Sequence, residues 1–251
     1  MKRNIIILCF VGLNLVSLGC HAQVVNETVV TFLLDATDQP LYNAIDSDFK
    51  HNLNTFFTNT GVGTIDYGQR LTVRMGGIAE NDELSLVSQS IALTDKRMSR
   101  KEAERQRNPR PLLELINSEL AHYKQLSETA MSSSPIIDIT LKAFREMNSE
   151  AREILVICTD GLEYTDYGNF YRNIPTTEQT VNGLISKIDP ILLNEAKDQI
   201  ASTDPEVIVI LKPNDKVKKT TELKLFYHVF LGQLGVSTIR FIDNLSNNPN
   251  I

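Results

Sequence analysis

Val29-Val30-Thr31-Phe32-Leu33-Leu34 runs into Asp35-Ala36-Thr37-Asp38-Gln39, and far downstream Ile154-Leu155-Val156-Ile157-Cys158-Thr159 runs into Asp160-Gly161. Both are mostly apolar, β-branched runs closed by an aspartate. Runs of this length and composition read as strands buried on both faces, the condition of strands in a parallel sheet with helices on either side. Val207 to Leu211, ending in Lys212-Pro213, is a third such run, and Thr238 to Ile242 a fourth.

Between these runs the apolar period changes to that of a helix. Pro40 to Thr58 places Leu41, Ala44, Ile45, Phe49, Leu53, Phe56 and Phe57 at helical spacing. Ser99 to Ala130 is polar, breaks at Pro109 and Pro111, and resumes as an amphipathic helix through Leu112, Leu115, Ile116, Leu120 and Tyr123. Pro135 to Met147 reads as a helix with Ser134 as N-cap and Pro135 at its first position. Glu178 to Ala196 is helical with a break near Pro190, and Thr220 to Leu234 is a helix ended by Gly235. Arg70 to Met75, closed by Gly76-Gly77, and Glu83 to Leu93 alternate polar with apolar and predict an antiparallel hairpin. The sum is an α/β fold, a doubly wound, mainly parallel sheet with helices on both faces and one antiparallel hairpin strand.

Lys2 and Arg3 precede a mostly apolar run from Ile5 to Leu18, and Gly19, Cys20, His21, Ala22 and Gln23 follow. Basic, then apolar, then small and polar is the order of a secretory signal. Residues 1–22 are therefore expected to be a signal peptide and residues 23–251 one domain. The apolar run, about 14 residues, falls short of the roughly 20 that a spanning helix needs. Two cleavage readings stay open. Ser17-Leu18-Gly19-Cys20 resembles a bacterial lipobox, which implies a lipid on Cys20 as the chain's only membrane attachment; Cys20-His21-Ala22 is a small-x-small site that leaves Gln23 as the new N-terminus. Either way the expectation is an exported protein, in the periplasm or anchored as a lipoprotein.

With 25 Lys and Arg against 31 Asp and Glu, the chain carries a net charge of −6, which argues against a polyanion such as nucleic acid as partner. Asp95 to Arg110 reverses that sign locally with Lys96, Arg97, Arg100, Lys101, Arg105, Arg107 and Arg110, but the interspersed Glu102 and Glu104 read as a solvated helix. Of three cysteines only Cys158 falls within the expected domain, inside an apolar run, so it reads as an inert buried thiol. His21, His51, His122 and His228 share no metal-ligand spacing, and no Gly-x-Ser-x-Gly elbow, Walker loop or Gly-x-Gly-x-x-Gly is found.

In an open α/β sheet, ligands bind outside the carboxyl ends of the strands. There, Asp35-Ala36-Thr37-Asp38-Gln39, Ser132-Ser133-Ser134-Pro135 and Thr159-Asp160-Gly161 stand in order along the chain. In this the chain resembles the von Willebrand factor A family, whose metal-ion-dependent adhesion site begins with Asp-x-Ser/Thr-x-Ser at the end of its first strand. The resemblance runs from about Thr28 to Ile242. It implies a von Willebrand A or Rossmann-like fold and a site for Mg²⁺ or another divalent cation, with carboxylates from Asp35 and Asp160 and hydroxyls from Thr37 and Ser134. It further implies a non-catalytic protein-binding module whose partner is another envelope or secreted protein. Gln39 departs from the family pattern, standing where the second Ser is expected. Residue chemistry alone leaves a plainer alternative, in which Asp35 and Ser134 precede helices simply as N-caps.

Next to this site, Glu163-Tyr164-Thr165-Asp166-Tyr167-Gly168-Asn169-Phe170-Tyr171-Arg172 gathers four aromatic residues among polar ones. Aromatic rings with polar handles are common contact residues. Gln39, Glu163, Tyr164, Asp166 and Tyr167 are accordingly the expected partner-binding residues. Two other classes stay open. One is a Mg²⁺-dependent hydrolase resembling the haloacid dehalogenase phosphatases, whose Asp-x-Asp would place an aspartate where Thr37 stands. The other is a structural envelope subunit with a dead metal site.

Overall fold

The computed structural model describes residues 26–61, 65–79, 83–93, 99–129, 131, 133–212 and 219–247. The expected signal peptide, with Cys9 and Cys20, lies outside the described residues, as do Lys96, Arg97 and Ser132. Strand β1 (Asn26–Asp35) leads into helix α1 (Gln39–Asn59) and strands β2 (Gln69–Ile78) and β3 (Val87–Leu93). Helices α2 (Arg100–Gln106), α3 (Arg110–Ser127) and α4 (Ile136–Arg145) precede β4 (Ala151–Thr159). Two short strands, β5 (Tyr164–Thr165) and β6 (Gly168–Asn169), make a hairpin of their own. Then come α5 (Glu178–Ile185), α6 (Pro190–Thr203), β7 (Glu206–Leu211), α7 (Thr220–Leu234) and β8 (Thr238–Ile242).

The six long strands form one sheet in the order β3-β2-β1-β4-β7-β8, parallel throughout except for β3, which runs antiparallel to β2. This is the doubly wound arrangement expected from the sequence. The chain leaves β1 towards one edge and returns to β4 on its other side, so the strand order reverses between these two neighbours. Alternate residues of the central strands feed two cores. Leu33, Leu155, Ile157, Val207 and Val209 pack under α4, α5, α6 and α7, while Val30, Phe32, Leu34, Val156, Ile208 and Ile210 pack under α1, α2 and α3. Cys158 belongs to the second core and is 1% exposed; burial pushes its thiol well above the usual range, as an inert core cysteine requires. The basic segment folds as expected into a solvated helix and the start of the next one. Arg100 pairs with Glu104, Arg105 with Glu102, and Arg110 with Glu114, each within one or two turns.

Three local expectations are corrected. Gly76-Gly77 does not close β2, which runs on to Ile78, and the glycines are there because of what lies above them. A Cβ on Gly77 would meet Tyr123 Cε1 of α3 at 2.5 Å, and one on Gly76 would meet Leu84 and Leu86 at 2.9 Å. The second hairpin strand begins at Val87 rather than Glu83. Ser134 is not the cap of α4, because Pro135 occupies that position and no side chain of the cap residue bonds to the helix.

The end of the chain is fastened by a buried ion pair. Lys212 Nζ, just past β7, donates to Asp48 Oδ2 of α1 at 2.5 Å and to the Asp243 carbonyl at 3.1 Å, and Asp48 also accepts the Leu245 amide. Breaking one side of such a pair costs more than the pair contributes, since it strands a buried charge.

Substituting Gly77→Ala drives a methyl into the buried Tyr123 ring and is expected to cost about 1–3 kcal/mol in urea unfolding. Gly183→Ala in α5, where an added Cβ meets nothing within 4 Å, is expected to gain about 0.5–1 kcal/mol. Equal effects at the two positions would refute the packing account.

Candidate functional site

Because β1 and β4 are hydrogen-bonded in register, with Leu34 opposite Cys158, the residues that follow them emerge side by side at the carboxyl end of the sheet. Asp35 is fully buried there. One carboxylate oxygen, Oδ1, accepts the Thr37 amide at 3.1 Å and the Thr37 hydroxyl at 2.5 Å; the other accepts the Thr159 hydroxyl at 2.6 Å. Thr159 in turn accepts the Gly161 amide at 2.9 Å, and Asp160 Oδ1 accepts the Leu162 amide at 2.9 Å. Gly161 makes this turn at φ +79°, a conformation that favours glycine.

No basic side chain among the described residues pairs with Asp35. Burial first, and the Asp160 carboxylate second, raise its pKa from the ordinary 3.8 to about 7. Two carboxylates brought together in a poorly solvated place cannot both ionise cheaply without a cation. The N-cap alternative fails for both residues it was meant to explain. Helix α1 has Asp38 at its cap position, with no side-chain cap bond, and Asp35 bonds within its own loop and to Thr159. The Ser134 hydroxyl, on a residue 6% exposed, makes no hydrogen bond among the described residues.

The capping of α4 is done from a distance. Ser134 and Tyr164 exchange backbone hydrogen bonds of 3.1 and 3.3 Å, which brings the loop after β4 alongside the start of α4. Glu163 then reaches the helix terminus, where Oε2 accepts the Ile137 amide at 3.0 Å and Oε1 accepts the Thr165 hydroxyl at 2.7 Å. Glu163 was expected to be a contact residue, but it is fully buried and both its oxygens are engaged inside the protein. Burial dominates its titration and lifts it from 4.5 to about 8, against the lowering effect of the hydrogen bonds.

The remaining expected contact residues are spread along the outside. Gln39 is exposed at the first residue of α1. Asp166 is exposed in the β5–β6 turn, and Tyr167 donates its hydroxyl to Asp138 at 2.8 Å. Tyr164 and Tyr171, 46% and 48% exposed, meet edge to face at 6.4 Å. Burial first, and then the Asp160, Asp35 and Asp38 carboxylates, push the Tyr171 phenol up to about 12. Lys219 Nζ, at the start of α7, donates to the carbonyls of Phe170, Tyr171 and Arg172 at 3.2–3.4 Å and fixes this loop.

Tyr227 of α7 is the participant that sequence reasoning missed. It sits at an apolar-looking helix position, with its hydroxyl buried and bonded to no group of the protein among the described residues. Nothing in a single sequence marks it, since Leu223, Phe226, Tyr227, Phe230 and Leu231 read as one apolar stripe.

Among the described residues, no three His, Cys, Asp or Glu side chains converge as metal donors. Position 37, where a hydrolase of the Asp-x-Asp kind would need its second acid, holds a threonine hydrogen-bonded to Asp35. A cleft of about 530 Å³ lies at the opposite end of the sheet, between Phe57, Ile65, Leu71 and Leu112. Its Arg107 is already engaged by the Ile65 carbonyl, and the carboxylates that could carry chemistry are not there. Among the described residues, no helix is long and apolar enough to cross a membrane.

No family model matches the chain, and no curated protein matches it in sequence. Among solved structures it is similar to the pilus adhesin SpaC from Lactobacillus rhamnosus GG, at 15% identity over 90% of this chain and 29% of that one, with a TM-score of 0.46. It is similar to the human COPII-coat protein Sec24c at 13% identity over 86% and 29%, with a TM-score of 0.45. It is also similar to the manganese-loaded Plasmodium vivax TRAP protein, at 11% identity over 87% and 69%, with a TM-score of 0.33. The chain spans less than a third of the first two. Superpositions this loose carry no argument about function, and the fold rests on the strand order itself.

Glu163 and Asp35 both have raised pKa values in the folded chain. Their protonated forms are therefore favoured by folding, and that contribution is complete below about pH 4 and lost as pH rises through 7 and then 8. Without divalent cations, the urea midpoint is expected to fall from pH 5 to pH 9. Glu163→Gln keeps an acceptor for the Ile137 amide but cannot ionise, so it should flatten the upper part of that fall; an unchanged slope would exclude Glu163 as its source.

Proposed function

We propose that this chain is a non-catalytic protein-binding module of the bacterial cell envelope, exported by residues 1–22, which captures another envelope or secreted protein through the carboxyl end of its sheet. A divalent cation, Mg²⁺ or a similar hard ion, is held there by Asp35 and Asp160 with the hydroxyls of Thr37 and Ser134. One observation carries the reading. Two carboxylates, Asp35 buried completely and Asp160 nearly so, lie together at the switch point of the sheet, and a buried serine hydroxyl without a partner belongs to the same loop cluster.

The donors suit a hard cation, which prefers oxygen ligands and keeps waters where the protein supplies few charges. Bound there, the cation supplies an electrophilic position for an acidic group of the partner. The chain's own residues do the rest. Thr159 and Thr37 fix both oxygens of Asp35, the Gly161 turn carries the chain on from Asp160, and Glu163 anchors the start of α4, which follows Ser134. Gln39, exposed, faces the partner rather than the cation, and so do Tyr164, Asp166 and the outer edge of Tyr167.

The test is calorimetric titration of the full chain with Mn²⁺ and Mg²⁺. Saturable binding is expected, lost in Asp35→Asn and Asp160→Asn, with stabilisation of about 2.7 kcal/mol when the cation is at a hundred times its Kd. In cation-free buffer at pH 8, Asp35→Asn is expected to be at least as stable as the parent, because it removes a like-charge contact. No saturable heat in the parent chain would leave a structural subunit with a dead site as the reading.

A further inference from the structure

Tyr227 belongs to the core under α7, yet its ring edge reaches the turn that follows β4. Its ring is packed as core: Cε2 lies 3.2 Å from where a Cβ on Gly161 would stand, and Phe226 meets it at 5.1 Å between ring centres. Its hydroxyl is not. Side chains on a helix lean towards the N-terminus, and the start of α7 lies at the carboxyl end of β7, so Tyr227 leans towards the strand ends. There its ring edge lies against Gly161, the residue after Asp160, and the hydroxyl is buried with no hydrogen-bond partner among the described residues. A buried hydroxyl that can reach a carboxylate normally takes it, because leaving it unbonded is costly. The Tyr227 ring is packed against Gly161 and Phe226. The carboxylates are held as well. Asp35 is tied to Thr37 and Thr159, and Glu163 to Ile137 and Thr165.

We infer that Tyr227 is a positioning residue of the cation site, its phenol oxygen accepting a hydrogen bond from a hydration water of the bound ion. The inference rests on the cation reading proposed above. A hard divalent ion with two protein charges keeps several waters, whose protons are strongly polarised and need acceptors. A neutral phenol oxygen provides one without adding a third full charge. Burial and the three carboxylates hold the phenol protonated well above its ordinary range, so it stays neutral at any working pH. This also explains why a tyrosine stands in a stripe otherwise made of Leu and Phe: phenylalanine would pack the same space and offer nothing to the water.

The experiment compares the full-length parent, Tyr227→Phe and Asp160→Asn by Mn²⁺ titration, with free Mn²⁺ read by electron paramagnetic resonance, and by thermal unfolding in cation-free buffer. Tyr227→Phe is expected to weaken Mn²⁺ binding by about tenfold, the scale on which outer partners of metal sites act. Its cation-free unfolding temperature should be equal to or higher than that of the parent, because an unbonded buried hydroxyl has been removed. Parental Mn²⁺ affinity in Tyr227→Phe alongside loss in Asp160→Asn would overturn the inference and leave the cation site standing. A lower cation-free unfolding temperature with unchanged affinity would make Tyr227 a packing residue and overturn it too. No binding in the parent would overturn the cation reading and this inference together.

Discussion

The placement of Asp35 beside Asp160 is the constraint from which the rest of the site follows. It is a consequence of topology before chemistry: β1 and β4 are parallel neighbours in register, so residues closing them arrive at the same height on the same edge. Burying a carboxylate costs several kcal/mol even after relaxation, and a second one nearby adds to it. A fold meets that cost by neutralising one group, by hydrogen bonds, or by a cation. Here Thr37 and Thr159 supply hydrogen bonds to Asp35, and they only partly offset burial, since its pKa still rises to about 7.

The surrounding loops are arranged to hold this pair rather than to relieve it. Gly161 turns the chain out of β4 and leaves room for Leu211, Leu223 and Tyr227 to close in from β7 and α7. Glu163, two residues further on, terminates α4 in place of a local cap, which couples the loop carrying Tyr164 to the helix whose first residues follow Ser134. Lys219 fastens the far end of the same loop to α7. Three elements from distant parts of the chain thus depend on one loop of about ten residues, and one of its anchors, Glu163, has its pKa raised by burial to about 8.

The architecture was legible because hydrophobic runs and their breaks are local signals. The long helices, the β7 and β8 runs and the Pro109 and Pro190 breaks follow from spacing alone. Where reading failed, the cause was tertiary. Gly76-Gly77 has the composition of a turn, yet it is a strand interior thinned to admit Tyr123. Ser134-Pro135 has the composition of a helix start, but the cap comes from Glu163, 26 residues after the Ile137 amide it accepts. Glu163 had looked like a surface residue because glutamate in an aromatic, polar loop usually is one. The strand-end positions of Asp35 and Asp160 were readable; their burial, and the approach of Tyr227 from the opposite core, were not.

The arrangement sets stability against binding at the same atoms. Glu163 is explained by the helix it caps, but replacing Asp35 by a neutral isostere would remove a like-charge contact, and a phenylalanine at 227 would remove an unbonded hydroxyl, so these two are not explained by folding alone. A chain under selection only for stability has no use for two buried carboxylates, a free serine hydroxyl and a bare phenol at one end of its sheet. On the cation reading proposed above, their cost would be offset when a hydrated cation occupies the place they face. The electrostatic strain of the cation-free state would then contribute to the affinity of the bound one, because binding between the acids relieves their mutual repulsion.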